Sequence, residues 1–427
     1  MKRKLADENG IENQIQCPYL GTIDRKNLDF DHERICSVTL SNTNIYICLV
    51  CGKYLQGKSS KSQAYFHCVN EDHHVFAHLE SKRIFCLPDG YEVQEPSLED
   101  IKYNILPQYT KEDFVLFDRK CFDLQRKEYV PGCLGINNIK ANDYVNVVIH
   151  ALSHVQAFRN EMLLGKFSKR LTSNVSDLIK KLWNPKAFRA NVSPHELMAT
   201  IADASEMKFH STKQSDPMDF LTWLLNSMHR ELKKKNNSII HECFRGFVKV
   251  DSQPIQPDLV DDATFVENSC VSPFLYLSLD LPPTPLYRDE NEENIIPQVS
   301  LALLLEKFNG TQVTEIGNFR KTYTILESPD YLIFHFKRFI KNNWSNERNP
   351  TIVNYSVDSL GLPVNGEIVN YRLSVNIAHD DGCFKVHVFN EETKNWYLMQ
   401  DLAVREIAPE MIFLSESYIQ IWKKIKH

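Results

Sequence analysis

Cysteine and histidine are bunched at one end of this chain. Six of its eleven cysteines and five of its fifteen histidines fall between Cys17 and Tyr109. Within that stretch Cys48-Leu-Val-Cys51 is followed after fifteen residues by His67, and after five more by His73. Two thiolates three positions apart grip one ion across a tight turn, and this Cys₂His₂ set suits tetrahedral zinc, which accepts both sulfur and imidazole nitrogen. Four protein ligands leave no open position. One structural ion is therefore expected, replacing a core that so short a segment cannot build alone. His74 competes with His73 for the fourth place, because neighbours in an extended segment point opposite ways. Cys36, Cys68 and Cys86 read as buried thiols. A DNA-reading finger is disfavoured, since such fingers work in tandem arrays and this one is alone in an acidic chain.

The rest of the composition narrows the function classes. At 427 residues the chain has room for a small module and a large domain. With 49 Lys+Arg against 55 Asp+Glu the net charge is −6, so the surface as a whole is no trap for nucleic acid, and sequence-specific DNA or RNA binding is not expected. No apolar run is long enough to span a membrane, and Met1 to Gly10 lacks the apolar core of a signal peptide. An odd cysteine count without such a signal points to a reducing compartment. Lys2-Arg3-Lys4 is a weak hint of nuclear import.

Four parts are expected along the chain: a disordered tail over 1–15, the metal module over 16–110, a linker over 111–131 and one large mixed domain over 132–427. Apolar residues at 3–4 spacing predict a helix over about Asp143–Leu164, and a second is expected near Met218–Leu232. After Phe244 the texture changes to short runs rich in aromatic and β-branched residues: Gly246–Val250, Phe274–Leu281, Tyr331–Phe339, Tyr371–Ile377, Phe384–Phe389 and Trp396–Met399. Helices first and antiparallel strands later give an α+β domain. The acidic, proline-containing stretches 251–269 and 282–297 read as exposed loops.

Four segments carry a resemblance. Gly135-Ile-Asn-Asn-Ile-Lys-Ala-Asn-Asp-Tyr-Val-Asn146 resembles the nucleophile box of the ubiquitin-specific proteases, where a cysteine opens a helix. Gln214-Ser-Asp-Pro-Met-Asp-Phe-Leu221, Tyr331-Leu-Ile-Phe-His-Phe-Lys-Arg-Phe339 and Tyr371 to Asp401 are similar to three further boxes of that family, in the same order. The Cys48-Leu-Val-Cys51-Gly52 segment resembles the zinc finger found beside such proteases. The resemblance implies a papain-like fold with a helical thumb and β-rich palm and fingers.

The chemistry does not carry over with it. A cysteine protease needs a thiolate, a histidine to take its proton and a residue to orient the imidazole. By resemblance the three positions are Asp143, Cys383 and Gln400, and only Asn138 matches the oxyanion-stabilising residue. Asp143 reads more simply as a helix-capping carboxylate. A rebuilt cysteine–histidine pair would have to come from Cys133 or Cys383 with His379 or His387. The family's finger subdomain carries further Cys-x-x-Cys knuckles, whereas here only Cys270 and Cys383 follow Gly246. In the zinc module, Gln56 and Lys58 stand where ubiquitin-binding relatives have a cysteine and a carboxylate-gripping arginine, which puts ubiquitin binding in question. The wording Ile139-Lys-Ala-Asn-Asp-Tyr144, with Leu182-Trp-Asn-Pro-Lys186, Pro194-His-Glu196 and Lys341-Asn-Asn343, is similar to the non-catalytic splicing-factor branch, the snRNP-assembly-defective family. That resemblance implies a nuclear, non-catalytic factor acting on the spliceosomal U4/U6.U5 tri-snRNP, with snRNP proteins as partners. A ubiquitin-binding adaptor and a deubiquitinase using another cysteine are the alternatives.

Overall fold

The computed structural model describes residues 17–235, 237–255, 268–283, 297–341, 346–380 and 382–426. The expected disordered tail and the interiors of the two acidic loops lie outside them.

Residues 17–105 build the small module. Its sheet has the strand order Tyr54–Gln56, Ile45–Cys48, Val75–His78, Ile84–Cys86, Tyr91–Glu92, all antiparallel. Helix α1 (Gln63–Glu71) packs beside it and ends at Asp72 in the left-handed conformation, which turns the chain back toward the sheet. Gly52 closes the Cys48–Cys51 turn at φ +75°, where a Cβ would lie 2.3 Å from the Asn27 carbonyl oxygen. Helix α2 (Glu99–Ile105) completes the module and buries Ile101 and Ile105.

The linker is not a bare connector. Residues Lys111–Asp118 form a 3-10 helix with a Thr110/Asp113 capping box, and Phe117 is fully buried in the core of the large domain. At the module's face, Lys181 Nζ donates to Phe30 O and Asp31 Oδ1, each at 2.7 Å, and Arg189 pairs with Asp29 at 2.5 Å. Glu196 Oε1 accepts the Arg34 N–H at 2.7 Å, and Phe188 of the large domain packs into the module's own core.

The helical half of the large domain is built on α3 (Asp143–Ser153), which is buried on every side, as a central helix must be. The predicted single helix over 143–164 is in fact two, α3 and α4 (Gln156–Leu164). Ser153 Oγ and His154 Nδ1 both donate to the His150 carbonyl, at 2.9 and 2.8 Å, and these side-chain bonds replace the backbone bonds that would have continued the helix. Helices α5 (Arg170–Leu182) and α6 (His195–Ala204) pack alongside. Helix α7 (Pro217–Leu232) starts as its sequence dictates, with Pro217 at its first position and Asp216 accepting from the Met218 and Asp219 N–H groups. A short α8 (Ile239–Phe244) follows.

Two large sheets dominate the β half among the described residues. An eight-stranded sheet runs in the order Leu277–Asp280, Tyr331–Lys337, Glu416–Lys424, Glu367–Asp380, Cys383–Asn390, Asn395–Gln400, Ala403–Ile407, with Leu360–Val364 also paired to the Glu367 strand. A four-stranded sheet (Asn268–Phe274, Gly246–Pro254, Phe319–Glu327, Thr314–Ile316) projects from it. Every expected β run is a strand, but two are broken. Phe274–Leu281 splits between the two sheets, and Tyr331–Phe339 breaks at Arg338. That arginine is fully buried and donates to three carbonyls, Ser417, Asn349 and Thr351, at 2.5, 2.9 and 2.7 Å; burial lowers its pKa to about 10. Stretch 251–269 is shorter as a loop than expected, because 251–254 and 268–269 extend the four-stranded sheet.

Gly135 fixes how the two halves meet. A Cβ there would lie 2.7 Å from the Leu402 Cα, a backbone atom that cannot swing aside. Gly135→Ala is expected to cost about 1–3 kcal/mol by forcing this contact apart. Differential scanning calorimetry would read the loss as a lower Tm of the large domain.

Candidate functional site

Asp143 opens α3 at the seam between the helical and β halves and is 4% exposed. Its Oδ2 accepts two hydrogen bonds, from Gln214 Nε2 at 2.6 Å and from the backbone N–H of Phe384 at 3.1 Å. Gln214 also donates to the Gly382 carbonyl at 3.0 Å. The carboxylate thus joins the helix start, the segment before α7 and the hairpin tip at residues 382–384. Its Oδ1 is buried without a hydrogen-bond partner among the described residues.

The remaining predicted positions gather at this seam. Cys383 is exposed at the first residue of its strand, where it pairs with Asp380. The register Val386↔Met399 brings half-buried Gln400 beside the start of that strand. Asn138 lies before the helix and donates through Nδ2 to Asp401 Oδ2 at 3.0 Å, while its Oδ1 accepts the Asn142 N–H at 3.1 Å. Asp401 was not singled out from the sequence, yet it organises this side of the seam. Asn146 Nδ2 donates to its Oδ1 at 2.8 Å, and the Ile136 N–H to its carbonyl at 3.0 Å. Only its place directly after Gln400 hinted at such a role.

The histidines offered for a rebuilt pair have other partners. His387 is buried beside Asn376, 3.2 Å from its amide, and burial lowers its pKa to about 4. His379 meets Arg348 at 3.3 Å and stacks edge-on against Phe384. Cys133 does face a histidine, but a different one: His154 Nε2 lies 4.0 Å from its sulfur, and Asn390 donates to that sulfur at 3.5 Å. Because His154 Nδ1 donates to a carbonyl, its Nε2 is the lone-pair nitrogen. Burial raises the Cys133 thiol to about 12 and lowers His154 to about 4, the reverse of the ionised pair that a nucleophile needs.

In the small module, the Sγ atoms of Cys48 and Cys51 and one ring nitrogen each of His67 and His73 all lie within 4.8 Å of one another. The contacts Cys51 Sγ–His67 Nε2 (3.3 Å), Cys48 Sγ–His73 Nδ1 (3.6 Å) and His67 Nε2–His73 Nδ1 (3.1 Å) match the edges of a tetrahedron built with zinc–ligand bonds of about 2.0–2.3 Å. The donor set therefore fits zinc. His74 points elsewhere: its ring stacks on Tyr19, bonds Asp72 Oδ1 at 2.8 Å and lies 3.3 Å from the Cys68 sulfur. Cys36, Cys68 and Cys86 are buried thiols. Gln56 is tied to Thr39 and Ser41 at 3.0 and 2.9 Å, and the Lys58 ammonium sits 3.5 Å from the centre of the Phe85 ring.

Comparison with known proteins agrees with this anatomy. A family profile described as "Ubiquitin carboxyl-terminal hydrolase" matches residues 134–422, and one described as "Zn-finger in ubiquitin-hydrolases and other protein" matches residues 36–98. The chain belongs to the ubiquitin carboxyl-terminal hydrolase family, with that family's zinc finger in front. Within it, the chain groups with the splicing proteins. It is 43% identical over 441 residues to the "Probable mRNA-splicing protein ubp10" of Schizosaccharomyces pombe, covering 95% of this chain and 88% of that one. It is 32% identical over 434 residues to the "Pre-mRNA-splicing factor SAD1" of Saccharomyces cerevisiae, covering 95% and 93%. The crystal structure of an essential yeast splicing factor superposes with a TM-score of 0.82 at 31% identity, over 96% of this chain and 100% of that one. The Ubp8 module bound to ubiquitin aldehyde shares the fold at a TM-score of 0.54 and 15% identity, over 93% and 91%.

Two outcomes follow from this geometry. Asp143→Ala leaves Gln214 and the Phe384 N–H without their acceptor and is expected to cost about 1–3 kcal/mol. Amide exchange at residues 382–384 should rise and the Tm should fall, with Asp143→Asn milder. The second concerns acid. Burial lowers His150, His154 and His387 from 6.5 to about 3, 4 and 4. The unfolded chain therefore binds protons below pH 6.5 that the fold does not accept until pH falls to about 4, so stability drops across that window. Urea midpoints measured at intervals from pH 7 down to pH 4 should decline continuously below about 6.5.

Proposed function

We propose that this chain is a pre-mRNA splicing factor that supports assembly or maintenance of the U4/U6.U5 tri-snRNP in the nucleus, through contacts with snRNP proteins and without hydrolysing ubiquitin conjugates. The observation that carries the non-catalytic part is Asp143. Where the family's nucleophile would stand there is a carboxylate, already hydrogen-bonded to the thumb and to the hairpin across the seam. Cys383 and Gln400 replace the base and its orienting partner, leaving Asn138 as the one retained position of the set. Removing such a set costs an active enzyme about four to six orders of magnitude. The names of the ubp10 and SAD1 relatives support the splicing part.

On this reading the protease-like domain, residues 132–427, is a docking body. The linker 111–131 and the finger 16–110 precede it, contacts such as Lys181 with Phe30 and Asp31 join the finger to it, and one structural zinc is held by Cys48, Cys51, His67 and His73. Two features speak against a ubiquitin-binding adaptor. Lys58 is engaged over Phe85, and it lacks the planar fork that grips a carboxylate.

Affinity purification of the full chain, with sequencing of the eluted RNA, is expected to recover tri-snRNP proteins and small nuclear RNAs; an eluate without them removes the splicing role. A ubiquitin carrying a carboxy-terminal electrophile is expected to leave every thiol unlabelled. Elemental analysis is expected to give one zinc per chain, lost in Cys48→Ser and in His73→Ala but retained in His74→Ala.

A further inference from the structure

One charged surface is used neither by the seam nor by the finger. Between residues 165–169, which lead into α5, and residues 233–235, which follow α7, lies a cavity of about 620 Å³. Lys166, Lys169, Lys233 and Lys234 line it, and Lys235 stands next to them. All five are exposed, and none is ion-paired with a carboxylate of the described residues. Three acidic residues share the wall, Glu161, Glu231 and Glu242. Glu231 Oε2 accepts from Thr172 N and Oγ1 at 2.9 and 2.6 Å, and Glu242 Oε1 accepts from Asn237 at 3.1 Å, which holds these two in place along the wall. In a chain of net charge −6, five lysines on two facing loops against three glutamates leave this face with an excess of two positive residues, a local field that the overall composition hides.

We propose that this face of the helical half binds the phosphate backbone of single-stranded RNA without sequence preference. The inference goes beyond the docking role, which invokes protein contacts only. Its cations are all lysines, compact point charges that suit phosphate without demanding a bidentate geometry. A protein partner would look for something else, because interface cores are poor in lysine and rest on large apolar or aromatic anchors. Here the apolar side chains along the cavity, Phe167, Leu232 and Ile239, are half-buried, and none is among the exposed large hydrophobics of the described residues. Phe167, half-buried, lies between the two cationic positions of its loop, an aromatic residue beside the lysines as in single-strand sites. Contact with three to five phosphates of a single strand gives a log–log salt slope between about −2 and −3.5.

Fluorescence anisotropy of the full chain with a labelled oligouridylate, titrated across a range of potassium chloride concentrations, tests this. Binding is expected at low salt with a slope in that range. The set Lys166→Glu, Lys169→Glu, Lys233→Glu and Lys234→Glu is expected to weaken binding at least about tenfold and to flatten the slope. The same four positions changed to Arg are expected to retain binding, and the Glu set is expected to melt at the wild-type temperature because all four side chains are in solvent. Lys424→Glu with Lys426→Glu, at a separate cavity, is expected to leave binding unchanged. Absence of binding at low salt, equal affinity in the Glu set, or loss of binding only in the Lys424/Lys426 pair overturns the proposal. Polyglutamate competing as well as RNA also overturns it, in favour of an acidic protein.

Discussion

A buried carboxylate at the head of α3 ties three separate stretches of chain together. Charge-assisted hydrogen bonds are roughly twice as strong as neutral ones, and a negative charge at a helix start is favoured by the helix dipole. Asp143 has both advantages. It bonds Gln214 before α7 and the Phe384 N–H at the hairpin tip. The helical and β halves of the domain therefore meet on a fixed polar contact rather than across an open cleft. A nucleophile in this place would have to be free to attack; a clasp has to be engaged. Asp143 is engaged.

The other side of the seam is arranged with the same economy. Asp401 spreads its two oxygens between Asn138 and Asn146, while its carbonyl receives the Ile136 N–H. A side chain that matches an oxyanion donor has thus become part of a static amide–carboxylate network. Gly135, pressed against the Leu402 backbone, keeps the segment close enough for that network to form.

Much of this was legible in the residues. The order of the four boxes carried the fold, and the nucleophile box placed Asp143 at the start of α3. The Cys48, Cys51, His67 and His73 spacing named the donor set. The choice between His73 and His74 depended on the left-handed turn at Asp72 and on Tyr19, a ring distant in sequence that takes His74 away from the cluster. The break between α3 and α4 was hidden because apolar spacing runs straight through it, whereas the bonds that end α3 come from Ser153 and His154 side chains. Asp401 was missed because its partners lie about 255 and 263 positions away, a tertiary relation that local pattern does not contain. The strand break at Arg338 is of the same kind, made by carbonyls from two other segments, Asn349 and Thr351 in one and Ser417 in the other.

The contacts of Lys181, Arg189 and Glu196 with residues 29–34 have a mechanical meaning for assembly. With the finger held to the thumb by these bonds, the two units are joined by side chains as well as by the connecting chain. A partner that seizes either one inherits the position of the other without having to freeze a floppy tether. An association made at one unit would then carry no added entropy cost for ordering the other.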